Sequence, residues 1–314
     1  MIRHDTAEVN GIRLHYAHTG AGKLILFAHG FPEFWYAWRR QLEEFGRDHW
    51  AVALDQRGYN LSDKPRGVKH YEMPHLVADL HGLARHLGQE KFILVGHDWG
   101  GVACWAYAMA HPESLEKLII INSPHPAVFQ RELRENDAQR RASRYMLFFR
   151  SRVAEPALSA FRYAALVRTV LSQGLKQGYF TKDDQAAYLE AWSQPGALTG
   201  GLNWYRAARL GPPKDDKDGS AAGAQLAAFP SLTVRVPTLV LWGEQDRFLL
   251  PGCLKGLGEY VPNLTVHRVP EASHWIHHEQ PALVSRAIRE FIASGSAPAP
   301  AGAAPPRGPI QETS

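Results

Sequence analysis

The chain has 314 residues, 45% of them apolar and 21% charged, with a formal net charge of +4. These values exclude a disordered or fibrous chain, and so small a charge gives no reason to expect a nucleic-acid partner. Cys104 and Cys253 are too few and too far apart for a disulfide framework, no apolar run approaches the ~18 residues of a membrane span, and the N-terminus lacks the apolar stretch of a secretory leader, so a cytoplasmic protein without membrane contact is expected.

In chain order, AEVNGIRLHYAHTG opens with an Asn10-Gly11 pair between alternating apolar positions, the pattern of a tight β-hairpin, here expected at a sheet edge. Short apolar runs then recur at LILFA (24–28), AVAL (51–54), FILV (92–95), KLIIIN (117–122), TLVLWG (238–243) and LTVHRV (264–269), with helical stretches between them. That alternation predicts a mostly parallel sheet flanked by crossover helices. The rhythm breaks after IIINSPHP for about a hundred residues of helical periodicity with no strand run. The expected organisation is an α/β core over 1–123 and 231–293 with an inserted helical cap, or lid, over 124–230. Within the insert, RELRENDAQRRASRYMLFFRSR (131–152) interleaves acids with bases and reads as a solvated helix face. PPKDDKDGSAAGAQLAA (212–228) reads as a polar, flexible loop, and SGSAPAPAGAAPPRGPIQETS (294–314) as a disordered tail.

LVGHDWGG (94–101) carries the chemistry. An apolar strand breaks into Gly96-His97-Asp98-Trp99-Gly100-Gly101 and runs into a helix, the shape of a nucleophile elbow with Asp98 where a serine often stands. Small flanking residues let the turn tighten and lift the central side chain beside a helix N-terminus, whose dipole keeps a carboxylate ionised. Two plainer readings of such a turn are close helix–sheet packing and a phosphate cradle; no Lys-Ser/Thr pair follows to support the second. A carboxylate is already a nucleophile and suits displacement at an sp³ carbon, which leaves an alkyl ester on Asp98. Breaking that ester with water requires a general base and an oxyanion hole.

Both have candidates downstream and upstream. Glu244-Gln245-Asp246 follows TLVLWG and Ala272-Ser273-His274-Trp275 follows LTVHRV, giving the chain order nucleophile, acid, histidine. Asp246 is expected to orient His274 and stabilise its protonated form, with Glu244, one residue past Gly243, as the rival acid. FAHGFPEFWYAWRR (27–40) follows the strand LILFA and places a backbone N–H opposite the elbow. Pro32 has no N–H, so the oxyanion donors expected are the N–H groups of Phe31 and Trp99. Trp35, Tyr36 and Trp38 read as core aromatics, His29 as structural and His125 as part of a hinge loop. His274, His277, His278 and Glu279 crowd together in HWIHHEQP, but not at the spacing of the zinc-binding helix motif, so no metal is expected.

Together these segments resemble the α/β-hydrolase superfamily, and within it the soluble-type epoxide hydrolases. HGFPEFWYAWR, GHDWGG, DQRGYNLSDKP (55–65), NSPHP and SHW have counterparts there, over residues 5–293. The Asp elbow and triad are shared with haloalkane and fluoroacetate dehalogenases. The resemblance implies the α/β-hydrolase fold with an inserted cap, no cofactor, and two cap tyrosines that hold the epoxide oxygen: Tyr145 in RYMLFFR and Tyr205 in GLNWYRAAR. Phenols, with an ordinary pKa of about 10, donate without being ionised at neutral pH. A dehalogenase has no oxygen to protonate, and its fluoroacetate branch carries arginines where this chain has Trp99-Gly100-Gly101-Val102.

The expected activity is therefore conversion of a small apolar epoxide to a vicinal diol through an ester on Asp98 that water, activated by His274, hydrolyses. Dehalogenation by the same Asp98 is the alternative; a retired ligand-binding scaffold would lack a catalytic member, and none is missing. The resemblance also implies a cis Phe31–Pro32 bond. Asn60 stands where relatives usually have Gly, a substitution the turn tolerates because Asn accepts positive φ. ASHW departs from the relatives' Gly-His pairing.

Overall fold

The computed structural model describes residues 1–212 and 231–294. Of the loop expected over 212–228 and the tail expected over 294–314, only residues 212 and 294 fall within that range. Eight strands form one sheet: β1 (Arg3–Val9), β2 (Ile12–Thr19), β3 (Leu24–Ala28), β4 (Trp50–Leu54), β5 (Phe92–His97), β6 (Leu115–Ile121), β7 (Thr238–Gly243) and β8 (Leu264–Val269). Their spatial order is β1-β2-β4-β3-β5-β6-β7-β8.

Only the β1/β2 and β2/β4 pairs are antiparallel; the other five are parallel. The hairpin turns at Asn10 and Gly11, with φ of 50° and 73°. Positive φ at both central residues is what a two-residue loop of matching twist requires. After β3 the chain first adds β4 on one side and then crosses to add β5 on the other. The loops that follow β3 and β5 therefore diverge from neighbouring carboxyl ends, the switch point where α/β sheets place their ligands.

β3 and β5 are buried along their whole length. Buried on both faces, they read as unbroken Ile, Leu, Val and Phe instead of alternating. Ile25, Phe27, Ile93 and Val95 pack with Leu42 and Phe45 of α1 (Arg39–Phe45) and with Val284 and Ile288 of the C-terminal helix Pro281–Ala293. Leu26, Leu94 and Leu118 share the opposite core with α2 (Met73–His86) and α3 (Trp99–Ala110).

Between β6 and β7 the described residues form α4 (Pro126–Glu135), α5 (Asp137–Ala142), α6 (Arg144–Arg150), α7 (Ala154–Leu166), α8 (Ser172–Gln177), α9 (Lys182–Ser193) and α10 (Ala197–Ala208), with no strand. Arg134, Arg141, Arg144 and Arg152 are exposed while Leu133 and Met146 point inward, the solvated helix face expected of this basic stretch. The insert is tied to the sheet's carboxyl edge by Trp192 Nε1 donating to Pro32 O at 2.5 Å and Trp204 Nε1 donating to Arg57 O at 3.1 Å. Asp184, in the capping box of α9, takes Arg39 at 2.8 Å and the Tyr36 hydroxyl at 2.9 Å. Tyr36 is thus half-buried and bridges core to insert, whereas Trp38 is fully buried as expected. Within α7, Phe161, Arg162 and Tyr163 are successive left-handed residues, with φ of 51°, 56° and 61°. No helix among the described residues is long and apolar enough to cross a membrane.

Candidate active site

Asp98 occupies the elbow between β5 and α3 at φ 49° and ψ −120°. A non-glycine residue held there costs ~1–3 kcal/mol, which the surroundings must offset. Ser123 Oγ donates to the Asp98 carbonyl at 2.7 Å from the end of β6. A Cβ on Gly100 would overlap the carbonyls of Ala28 and His29, and one on Gly30 would overlap the Asp98 side chain, so the two loops close on each other only with glycine at both positions. This contact brings the Phe31 N–H to 2.9 Å from Asp98 Oδ1. Phe31–Pro32 is cis. The Asp98 carboxylate makes no capping bond to α3; its side chain is 12% exposed and faces the cleft.

His274 reaches the same point from the loop after β8. Its Nδ1 lies 2.6 Å from Asp246 Oδ2 and its Nε2 lies 3.7 Å from Asp98 Oδ2. Asp246 is wholly buried, yet its Oδ1 accepts from the N–H groups of Phe248 (2.8 Å) and Leu249 (2.9 Å), and its Oδ2 from Asn122 Nδ2 (2.9 Å) as well as His274. Four donors offset the desolvation of a buried carboxylate. Glu244, the rival acid, turns outward to Arg268 at 2.8 Å. Burial works against a charge on His274, but the carboxylates of Asp246, Asp98 and Glu33 outweigh it and push its pKa up to about 9.

Asn122 was missed by sequence reasoning. It directly follows β6 at φ 39°, and its Oδ1 accepts from Gly243 N at 2.9 Å, so one amide holds both the turn after β7 and the Asp246 carboxylate. The sequence signals are an Asn directly after an apolar run, a residue type that tolerates the left-handed region, and its place at the head of the NSPHP segment, which was read only as part of the resemblance.

Tyr145 of α6 and Tyr205 of α10 come together above the elbow, their ring centroids 6.3 Å apart. Tyr205 stands edge-on to Trp99 at 4.9 Å and to Phe31 at 5.4 Å. Burial raises both phenols well above the ordinary value; the charge of Asp98 raises Tyr145 further, and Tyr145 and Asp98 raise Tyr205. Both rings are therefore neutral donors at neutral pH. Two cavities meet at Asp98 and Tyr145. Val102, Phe129, Leu133 and Met146 line one; Phe149, Leu158, Leu166 and Val170 line the other, which also reaches His274.

The remaining sequence candidates divide as follows. His29 Nδ1 donates to Gly30 O at 2.8 Å while its Nε2 accepts from Gln56 N at 3.1 Å, a structural role as expected. His125 caps α4 through Ala127 N and donates to Leu232 O at 3.1 Å; burial pushes it down to about 4. Asn60 adopts φ 40° and donates to Asp55 at 2.8 Å. The crowd in HWIHHEQP splits: Glu279 accepts from Ser273 N and Oγ, whereas His277 and His278 turn inward to Glu33, another residue that sequence reasoning did not single out.

Known proteins match this chain in both sequence and shape. The sequence profile of the alpha/beta hydrolase fold matches residues 23–281. The AB hydrolase superfamily protein YfhM of Bacillus subtilis is 42% identical, over 90% of this chain and 95% of its own. Epoxide hydrolase 4 of Mus musculus is 39% identical, over 90% of this chain and 77% of its own. A solved variant of an epoxide hydrolase from Bacillus megaterium, complexed with its naphthyloxy-propane-1,2-diol product, has a TM-score of 0.87 and 39% identity, covering 92% of this chain and 100% of that one. With fold, elbow and these similarities agreeing, the chain belongs to the α/β hydrolase fold family, in its epoxide hydrolase branch.

Proposed function

We propose that this protein hydrolyses an apolar epoxide to a vicinal diol through a covalent ester on Asp98. The observation that carries the reading is the convergence of Asp98, His274 and two neutral phenols where two apolar cavities meet. Residues 1–123 and 231–293 serve as the core, and 124–230 as the cap that supplies the phenols. Tyr145 and Tyr205 donate to the ring oxygen while an Asp98 oxygen attacks a ring carbon from the opposite side. The C–O bond breaks, the carboxylate becomes a neutral ester, and the alkoxide takes a phenolic proton.

The charge lost from Asp98 is one of those that raise His274. With it gone, the imidazolium is less favoured and its proton passes back to the phenol, which leaves His274 neutral when the ester needs a base. Neutral His274, oriented by Asp246, then accepts a proton from water as the water oxygen adds to the Asp98 carbonyl. The Phe31 and Trp99 N–H groups hold the oxyanion; on its collapse the departing alkoxide takes the proton of the hydroxyl added from water, which releases the diol, returns Asp98 as a carboxylate with one solvent oxygen and leaves His274 protonated as at the start. The diol held by the Bacillus megaterium relative and the apolar linings here support an aryl or alkyl epoxide as substrate.

A single turnover with enzyme in excess, in heavy-oxygen water, tests the scheme. The diol of that first round should carry only unlabelled oxygen, one atom from the epoxide ring and one from Asp98. Solvent label in the first product would overturn it.

A further inference from the structure

The basic stretch 131–152, solvated on its outer face, turns two polar residues inward. Gln139 of α5 and Ser143, the residue before α6, stand four positions apart, and both are without solvent contact. Asn136 Oδ1, which caps α5, accepts from the Gln139 N–H at 3.2 Å and so fixes where that side chain starts. The Gln139 amide then makes every bond open to it. Its Nε2 donates to Ser143 Oγ at 2.9 Å and to the carbonyl of Phe248 at 2.8 Å, while its Oε1 accepts from Leu250 N at 2.8 Å and faces Cys253 Sγ at 3.6 Å. A carbonyl only accepts and a backbone N–H only donates, so these partners leave the amide a single orientation. A buried amide is tolerated only when its bonds are made, and here three of the four partners lie in the core, 109 to 114 positions further along the chain.

Two of those partners belong to the turn that holds the acid. The Phe248 carbonyl and the Leu249 N–H are the two ends of one planar trans peptide and point in opposite directions. The N–H donates to Asp246 Oδ1 at 2.9 Å and the carbonyl accepts from Gln139, so carboxylate and amide grip the same unit from opposite sides. Continued through Asp246 Oδ2 to His274 Nδ1 at 2.6 Å, this is one chain of hydrogen bonds from the cap to the base, in which each bond polarises the next. The amide also reaches toward the phenol. Ser143, its other acceptor, opens α6, and Tyr145 lies in the first turn of that helix. The Phe248 ring stands between phenol and base, 5.4 Å from Tyr145 and 5.5 Å from His274. The ties through Trp192, Trp204 and Asp184 join the cap to other parts of the core, whereas the Gln139 amide joins it to the acid turn.

We propose that Gln139 is a positioning residue for both halves of the reaction: from the cap it fixes the turn that steadies Asp246, and through Ser143 it sets the start of the helix that carries Tyr145. Its side chain lines neither cavity, so it touches no substrate and acts through the groups it holds. Loss of the amide frees the peptide that backs Asp246 against His274, on which ester hydrolysis depends. It also frees the helix start that aims Tyr145, on which ring opening depends. Reacting groups lose rate steeply when they leave their productive geometry, so both steps should feel one change made outside the cleft.

The inference rests on the Asp98–His274 chemistry above, and its test times the two steps separately. With enzyme in excess, rapid quenching and the mass of the intact protein follow the Asp98 ester as it forms and decays. Each rate is taken per adduct-forming site, so that unfolded protein does not contribute. Gln139→Met, which keeps the length of the side chain and removes its hydrogen bonds, should slow formation and decay each by about tenfold. Ser143→Ala, which loosens only the helix of Tyr145, should slow formation and leave decay as in the wild type. The proton of the short Asp246–His274 bond, a downfield resonance of the free enzyme, should move in Gln139→Met and stay in Ser143→Ala. A Gln139→Met protein that melts earlier but keeps both rates and the resonance would make the amide a stabilising contact alone and overturn the proposal. Equal slowing of both steps in Ser143→Ala would overturn it too, because the two arms of the amide would then not be separate. If Gln139→Met does not fold, Ser143→Ala decides, and an unchanged rate of ester formation there overturns the proposal. Wild-type enzyme that forms no Asp98 ester in a single turnover brings down the underlying chemistry, whereas an ester that Gln139→Met forms and releases at wild-type rates brings down only the role of Gln139.

Discussion

His274 Nε2 stands 3.7 Å from Asp98 Oδ2, beyond direct hydrogen-bond reach, while the opposite nitrogen of the same ring is 2.6 Å from Asp246. The short contact fixes ring and tautomer; the long one leaves the nitrogen that faces the nucleophile without a tight partner. That suits a base whose target is a water at the Asp98 carbonyl and not Asp98 itself. His274→Gln should spare ester formation and slow ester hydrolysis by ~10²–10⁴-fold, the ordinary contribution of a positioned base. Mass spectrometry of the tryptic peptide that holds Asp98 should then show substrate mass added. An unmodified peptide alongside continued substrate loss would remove Asp98 from the covalent role.

The same ring sets a pH dependence of stability. Folding raises the His274 pKa from 6.5 to about 9, so its contribution is fully present below 6.5 and is lost as pH rises through about 9. Asp246→Asn removes the leading favourable cause and should flatten the fall of the thermal midpoint across that window. Equal slopes in wild type and variant would assign the dependence to other groups.

How much of this was legible beforehand follows from where each contact's partners lie. β3 and β5 were readable because strands buried on both faces leave continuous apolar runs, and the hairpin because Asn10-Gly11 is local turn chemistry. The elbow was readable because Gly96, Gly100 and Gly101 are written beside Asp98. The choice between Asp246 and Glu244 could only be narrowed, since two residues on one turn point in directions that backbone pattern does not reveal; Arg268 and His274 decide it in space. Glu33 and His278 lie 245 positions apart, and no local period links them. The left-handed run at Phe161–Tyr163 contains no glycine and so left no mark.

Asn122 is expected to act on catalysis through Asp246. Asn122→Ala removes the donor to Asp246 Oδ2 and the bonds to Gly243, leaving buried groups unpaired at a cost of about 1–3 kcal/mol. Denaturant melts should show that loss, and kcat should fall further than KM changes, because the side chain does not line the cleft. A variant with wild-type kcat and wild-type stability would mean that Asp246 is held adequately by Phe248, Leu249 and His274 alone.

The two phenols separate epoxide opening from the rival displacement of halide. Each sits above Asp98 with burial holding its proton in place, so either alone still offers the ring oxygen one donor. Tyr145→Phe and Tyr205→Phe should each lower epoxide turnover by ~10–100-fold, and the double variant should abolish it, because alkoxide then forms with no phenol to donate its proton in a cavity lined mainly by apolar side chains. A halide leaving group needs no proton, so a haloalkane or haloacid assayed beside the epoxide gives the contrast. The wild type should release diol and no halide. Halide release that survives loss of both hydroxyls, with diol formation already absent in the wild type, would transfer the Asp98 chemistry to carbon–halogen bonds.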